Sequence, residues 1–332
     1  MQAPVPHDDH MFELFLSPLV LPAVGACIKL GIFEIIAKEP GRTFDQLLDA
    51  TKVPYRALNA LLPIVTVRRY IDVRGGKYYI TDLARSFLLQ QSSYYWGGML
   101  TSYLDDRLMS YIEADKTKTE RPGTVAWKSF NQDEEKSRQR TLAFHNHSVP
   151  ASIGVATHHD WSTSRNILDV AGGSGCYSIH VAERHPHLKA TVCDLPNVIK
   201  VTEELMKKSE ARDRLGVTSF DMMKSEWPQG YDTHFMSNIF HDWDDDLNLD
   251  LAERSFRSLP TGGKLLLHEM LLSDDKSGPL IAAGFNLHMY VYTEGKQYTL
   301  PELEVLLKKA GFSRVTATQT WCDFFVITAE KL

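Results

Sequence analysis

Four features of the sequence carry groups able to do chemistry. The first is the run Ala171, Gly172, Gly173, Ser174, Gly175, directly after the apolar Ile167–Val170. Glycines there allow positive φ and let a ligand approach the backbone closely. The second is Asp194, 25 residues after Asp169, at the end of KATVCDL. A carboxylate so placed can accept two hydrogen bonds from a ribose diol. The third is His241, just after THFMSNIF. An imidazole of ordinary pKa can take a proton from a hydroxyl within hydrogen-bond reach; the plainer reading is a loop histidine that satisfies a backbone group. The fourth is Glu269, near the end of GGKLLLHEML, a carboxylate able to accept the other ring N–H.

A glycine-rich turn alone also suits a dinucleotide. Here the glycines do not fit GxGxxG: counting from Gly173, Gly175 fits, but Ser178 stands where the third glycine belongs. Asp169 precedes the turn, placed to touch an amine or a water-linked methionine group rather than a pyrophosphate. Both details favour S-adenosylmethionine over NAD.

These groups need a frame. From about residue 161 strands and helices alternate: NILDVAG, YSIHVAERHP, KATVCDL, VIKVTEELMKKSEA, THFMSNIF, DDLNLDLAERSFRSL, GGKLLLHEML, LPELEVLLKKAGF and a closing pair of strands. The alternation predicts an α/β, doubly wound, largely parallel sheet over 161–332, with helices on both faces. Such sheets bind ligands beyond the carboxyl ends of their strands, where the strand order reverses. Residues 101–160 read as a helical linker with a polar middle, DKTKTERPGT, and the histidines His145, His147, His158 and His159; it is expected to contribute to an acceptor pocket.

Residues 1–100 are mostly helical. TFDQLLDATKV follows a cap at Thr43, and a second helix runs through VPYRALNALLPIVTVRRYIDV. RGGKYYITDLARSFL then reads as strand, Gly-Gly turn, strand, helix. This is a winged-helix pattern. Its charge is +1, from 10 basic and 9 acidic residues, so the basic face of a duplex reader is missing. A dimerisation role is expected instead.

The 332 residues, with net charge −6 and 43% apolar composition, suit about two globular domains and no polyanion partner. Cys27, Cys176, Cys193 and Cys322 form no metal or disulfide pattern. The N-terminus is polar and acidic, unlike a signal peptide. Residues 15–36 are apolar but interrupted by Pro18, Pro22, Lys29 and Glu34, so a buried or interface helix pair is expected rather than a membrane span. The expectation is a cytoplasmic protein with no nucleic-acid or membrane partner.

LDVAGGSG, CDLP, FDMM, NIFHDW and GGKLLLHEML, in this order and spacing, resemble the O-methyltransferases of the plant caffeate and animal acetylserotonin type. The resemblance covers nearly the whole chain. It implies a winged-helix dimerisation domain before a Rossmann-like methyltransferase domain, a homodimer, S-adenosylmethionine as methyl donor and a small hydroxylated acceptor. It also implies residue roles. Asp169 and the turn Gly172, Gly173 and Gly175 would face the methionine part. Asp194, with Leu195 beside it, would hold the ribose. Asp221 and Met222 would hold the adenine, and Ser237 and Asn238 would flank the sulfonium. His241 would be the general base and Glu269 would orient it. Phe144, His147, Asn286 and Met289 are candidates for the acceptor pocket.

The chain departs from the pattern in three places. Ala171 stands where the family often has glycine, a change that should be tolerated. Gln297 replaces a second catalytic glutamate of plant members. FHNHS lacks the family's methionine near that helix. Two other readings stay open. His241, Asp242 and His288 could hold a divalent metal, iron, as in relatives that C-methylate 2-oxo acids. The fold could also bind S-adenosylmethionine without transferring methyl. Asp244, Asp245 and Asp246 read as a helix start, not a metal site.

Overall fold

The computed structural model describes residues 7–102, 107–117 and 133–332. The polar stretch DKTKTERPGT lies largely outside them. The strands are, in chain order, β1 (Arg42–Thr43), β2 (Ile71–Arg74), β3 (Lys77–Ile80), β4 (Asn166–Val170), β5 (Lys189–Asp194), β6 (Leu215–Ser219), β7 (Thr233–Ser237), β8 (Lys264–Leu272), β9 (Tyr298–Thr299), β10 (Ser313–Trp321) and β11 (Phe324–Glu330). The chain divides into two compact units. One holds residues 1–8, 125–271 and 300–332; the other holds 9–124 and 272–299.

In the second unit, helix Asp9–Lys29 carries Pro18 and Pro22 inside it and is followed by helix Ile32–Lys38. By length and composition alone Asp9–Lys29 is apolar enough to cross a membrane. Its Phe12, Leu16 and Ala23–Ile28 are buried within the protein. Thr43 caps the next helix, Phe44–Thr51, reciprocally with Gln46: the Gln46 N–H donates to Thr43 Oγ1 and the Thr43 N–H to Gln46 Oε1. Helix Tyr55–Val67 follows. β2 and β3 form a hairpin across Gly75 and Gly76, both at positive φ, as a two-residue turn between twisted strands requires. Helix Leu280–Tyr292 belongs to this unit. A Cβ at Gly284 would sit 2.7 Å from Leu16, so glycine permits the close crossing of two helices.

The first unit is built on the sheet order β10-β11-β8-β7-β4-β5-β6. β8, β7, β4, β5 and β6 run parallel, and β11 and β10 close the edge antiparallel. The order reverses between β4 and β7, because β5 and β6 extend one way and β7 and β8 the other. β4, β7 and β8 are almost wholly buried, as expected of strands covered on both faces. Helix Glu134–His158, read from the sequence as part of a linker, belongs to this unit. It packs along β10, where a Cβ at Gly154 would lie 2.6 Å from the Thr320 carbonyl oxygen. β6 was not legible: LGVTS is a half-exposed edge strand, so no apolar alternation marks it.

Candidate active site

Three neighbouring strands, β4, β5 and β6, end at the same edge of the sheet, with Val170 paired to Cys193 and Asp194 to Ser219. After β4 the chain enters the turn Ala171–Gly175 and then helix Cys176–Arg184. Ala171, Gly173 and Gly175 all have positive φ. Gly172 is required by space: a Cβ there would meet the Asp169 carboxyl carbon at 2.5 Å. Asp169 is thus folded beneath the turn, buried, with Ser178 Oγ donating to its Oδ2 at 2.7 Å. Its Oδ1 has no hydrogen-bond partner among the described residues. Burial, with the nearby Asp194, pushes its pKa up to about 7.

Asp194 closes β5. Its Oδ2 accepts the Gly173 N–H at 2.9 Å and its Oδ1 the Leu195 N–H at 2.7 Å. Burial pushes it up to about 6, against the pull of those two amides. Thr202 Oγ1 donates to the Gly173 carbonyl at 2.6 Å, tying the turn to helix Pro196–Met206. Beyond β6, the Phe220 N–H donates to the Asp194 carbonyl, which sets Asp221 beside the β5 end. Asp221 Oδ1 accepts the Met223 N–H, and the Trp227 indole donates to the Met222 carbonyl. Glycine turn, Asp194 and Asp221–Met222 therefore lie on successive parallel strands. That row suits an adenosine with an amino-acid tail, and the unpartnered Asp169 oxygen beneath the turn suits the ammonium of that tail.

On the other side of the strand reversal, β7 ends in Ser237. Asn238 follows at φ 56. Its Nδ2 donates to Ser237 Oγ, and Ser237 Oγ lies 2.9 Å from His268 Nδ1. His268 is fully buried on β8, its ring stacked on Phe324, and burial pushes its pKa down to about 3, so it is neutral. Its part in holding Ser237 was not read from the sequence, because a histidine within LLLHEML looks like one more buried residue. Tyr177 also reaches Ser237 by hydrogen bond.

A single turn, Phe240–Asp242, carries His241. Asn248 Nδ2 holds that turn from below by donating to the carbonyls of Phe240 and Trp243. Asp244 caps helix Asp245–Ser258 by accepting the Leu247 N–H, which fits the expected helix start. Glu269 is buried on β8. Its Oε1 accepts both the Ile239 and Phe240 N–H groups, at 3.0 and 2.9 Å. Its Oε2 lies 3.1 Å from His241 Nδ1, and His241 Nε2 lies 3.7 Å from Asp242 Oδ1. Burial alone would lower the His241 pKa. The carboxylates of Glu269 and Asp242 outweigh it and raise the pKa to about 9. Asp242 is itself pushed up to about 7 by burial.

The acceptor candidates come from both units. Phe144 and His147 lie exposed on helix Glu134–His158. Asn286 and Met289 are buried in the other unit. There Asn286 Nδ2 donates to the Asn59 carbonyl, and its Oδ1 accepts the Gln297 N–H. Asn286 is thus an internal brace. His288 belongs to that unit too, its ring packed beside Phe15, Phe285 and Tyr292. His241 and Asp242 share one turn of the first unit.

Residues 106–313 match the model of an O-methyltransferase domain. The chain is 31% identical over 296 residues to the 3-hydroxy-5-methyl-1-naphthoate 3-O-methyltransferase of Streptomyces sahachiroi, covering 87% of this chain and 85% of that one. It resembles, at TM-score 0.85 and 27% identity, a family 2 O-methyltransferase from Planctomyces limnophilus in complex with apigenin, covering 100% of this chain and 98% of that one. Human N-acetylserotonin methyltransferase in complex with S-adenosylmethionine shares the fold at TM-score 0.61 and 23% identity, over 100% and 99% of the two chains. The reading of donor binding without transfer is therefore set aside: the chain belongs to the O-methyltransferase family and is an S-adenosylmethionine-dependent methyltransferase acting on a hydroxyl group of a small molecule.

Proposed function

We propose that His241 is the general base that takes the acceptor's hydroxyl proton, and that the acceptor is a flat aromatic compound bearing a phenol-like hydroxyl. The observation that carries the first part is the 3.1 Å separation between His241 Nδ1 and Glu269 Oε2. With the ring proton on Nδ1, the nitrogen nearest Glu269, the proton-accepting atom is Nε2. A phenol has a pKa near 10, and an imidazole raised to about 9 is close enough for a nearly balanced transfer. The acceptor class rests on relatives: one is named for a hydroxynaphthoate, and one structure is titled as an apigenin complex.

The bound donor supplies an electrophilic methyl on a sulfonium. The chain's own residues do the rest. Asp194 accepts from the ribose hydroxyls while holding Gly173, and Leu195 flanks it. Asp221 bonds the adenine and Met222 packs on it. Asp169 faces the ammonium, and Ser237 and Asn238 flank the sulfonium. Rate then comes mainly from alignment of hydroxyl and methyl in a site shielded from water. Residues 1–100 act as a winged-helix dimerisation module of a cytoplasmic homodimer, without nucleic-acid or membrane partners. The near-neutral charge of residues 1–100 and the apolar Asp9–Lys29 support this.

The test is His241→Ala with a naphthol or flavone acceptor. Release of S-adenosylhomocysteine should fall by about 10²–10⁴-fold in kcat, the usual contribution of a general base. Donor affinity by calorimetry should change little. Near-normal turnover at pH 7 would overturn the base assignment.

A further inference from the structure

Helix Glu134–His158 lies along helix Cys176–Arg184 and is pinned to it by polar contacts on one face. Ser152 Oγ sits 2.7 Å from His180 Nδ1 and 3.2 Å from Cys176 Sγ. Two turns earlier on the same face, His145 Nδ1 sits 3.0 Å from Ser174 Oγ. Ser174 is buried and lies inside the turn between Gly173 and Gly175. His145 thus meets the turn by hydrogen bond, and neither the motif pattern nor the family resemblance assigns it a role.

The contact admits two tautomers of the ring, and one of them frees a donor. Burial lowers the His145 pKa, so the ring is neutral at neutral pH. A neutral imidazole carries one N–H and one bare nitrogen, and the partner of one sets the other. With the Ser174 hydroxyl donating to Nδ1, the proton sits on Nε2. That N–H has no partner among the described residues. In that tautomer a free donor stands at the rim of the glycine turn, next to the first turn of a helix, whose leading amides lack intrahelical acceptors. An amino-acid tail has two charges to satisfy. The unpartnered Asp169 Oδ1 beneath the turn is an acceptor, suited to the ammonium. The carboxylate needs donors.

Resting on the donor reading above, we propose that His145 is a donor-binding residue whose Nε2–H, oriented by Ser174, holds the carboxylate of the S-adenosylmethionine tail together with the first amides of helix Cys176–Arg184. Helix Glu134–His158 is then an active wall of the donor site. A hydrogen bond from a neutral imidazole to a carboxylate is charge-assisted.

The experiment compares two probes by calorimetry: S-adenosylhomocysteine, which has the amino-acid tail, and 5′-methylthioadenosine, which lacks it. For His145→Ala, S-adenosylhomocysteine should weaken about 10–100-fold, the usual loss for a hydrogen bond to a charged group. Methylthioadenosine should stay within about twofold of the unaltered protein by the same reasoning. His145→Gln keeps an N–H near the Nε2 position and should recover part of the loss. Equal weakening of both probes would mean that the residue only pins the helix, and would overturn the proposal. So would unchanged S-adenosylhomocysteine affinity in His145→Ala. If the unaltered protein binds neither probe, the donor reading itself fails, an outcome distinct from the other two.

Discussion

The Gly173 N–H donates to Asp194 Oδ2 at 2.9 Å, so the carboxylate that ends β5 holds the turn that follows β4. The residue expected to bind the ribose is thereby also a structural clamp between two strands.

Asp194→Ala should therefore do two things. It should weaken S-adenosylhomocysteine binding by about 1.5–3 kcal/mol through the lost charge-assisted bonds. It should also lower stability by about 1–3 kcal/mol, because the Gly173 and Leu195 amides lose their acceptor. Calorimetry and denaturant unfolding measure the two separately. An unchanged donor affinity in a folded variant would remove Asp194 from the donor site.

The raised pKa of His241 sets a pH profile for activity. Its base form is the minor one at neutral pH and grows as pH rises toward about 9. The acidic limb of the kcat profile should therefore lie well above the ordinary imidazole value of about 6.5. Glu269→Gln removes the largest raising partner, so the limb should move down and the maximal kcat should fall less than in His241→Ala. A limb that stays in place would separate Glu269 from the base.

Stability should run the other way over the same range. A group whose folded pKa is raised contributes stability that is fully present below its unfolded pKa and is lost as pH climbs through the folded one. For His241 that window is about 6.5 to about 9. Melting curves at several pH values should show the decline, and His241→Gln should flatten it. Equal slopes in the two proteins would contradict the assigned pKa.

Ala171 occupies a left-handed conformation at φ 53, where the family often has glycine. A side chain there costs roughly 1 kcal/mol or more. Glycine removes that strain but adds about 0.4–1 kcal/mol of unfolded-chain entropy. Ala171→Gly should be neutral or stabilising by up to about 1 kcal/mol on that balance, measured by denaturant unfolding. A clear loss of stability would show that the Ala171 methyl packs productively.

The donor half of the site was legible because its signals are local. A glycine run after an apolar strand, and an aspartate ending the next, declare themselves within 30 residues of sequence. His241 was legible as a residue just after a strand; Glu269 was read as ending the next strand but lies inside β8, which runs on to Leu272. The braces behind them were not. His268 and Asn248 are polar groups within apolar or helical runs, and their partners, Ser237 and the Phe240 carbonyl, are visible only once strands pair and the loop closes. The membership of residues 272–299 in the unit of 9–124 was equally hidden, because bonds such as Asn286 to Asn59 join positions 227 residues apart. Asn286 was read as an acceptor candidate, and its bond to Asn59 was not legible.

Glu269 receives its two fixed hydrogen bonds from main-chain amides, those of Ile239 and Phe240. Every residue except proline offers the same N–H at those positions. The aim of the base is therefore written in the backbone, and its inheritance does not depend on side-chain identity at 239 or 240. Those two positions can drift as far as packing allows, reshaping the surroundings of the base over generations while its orientation persists.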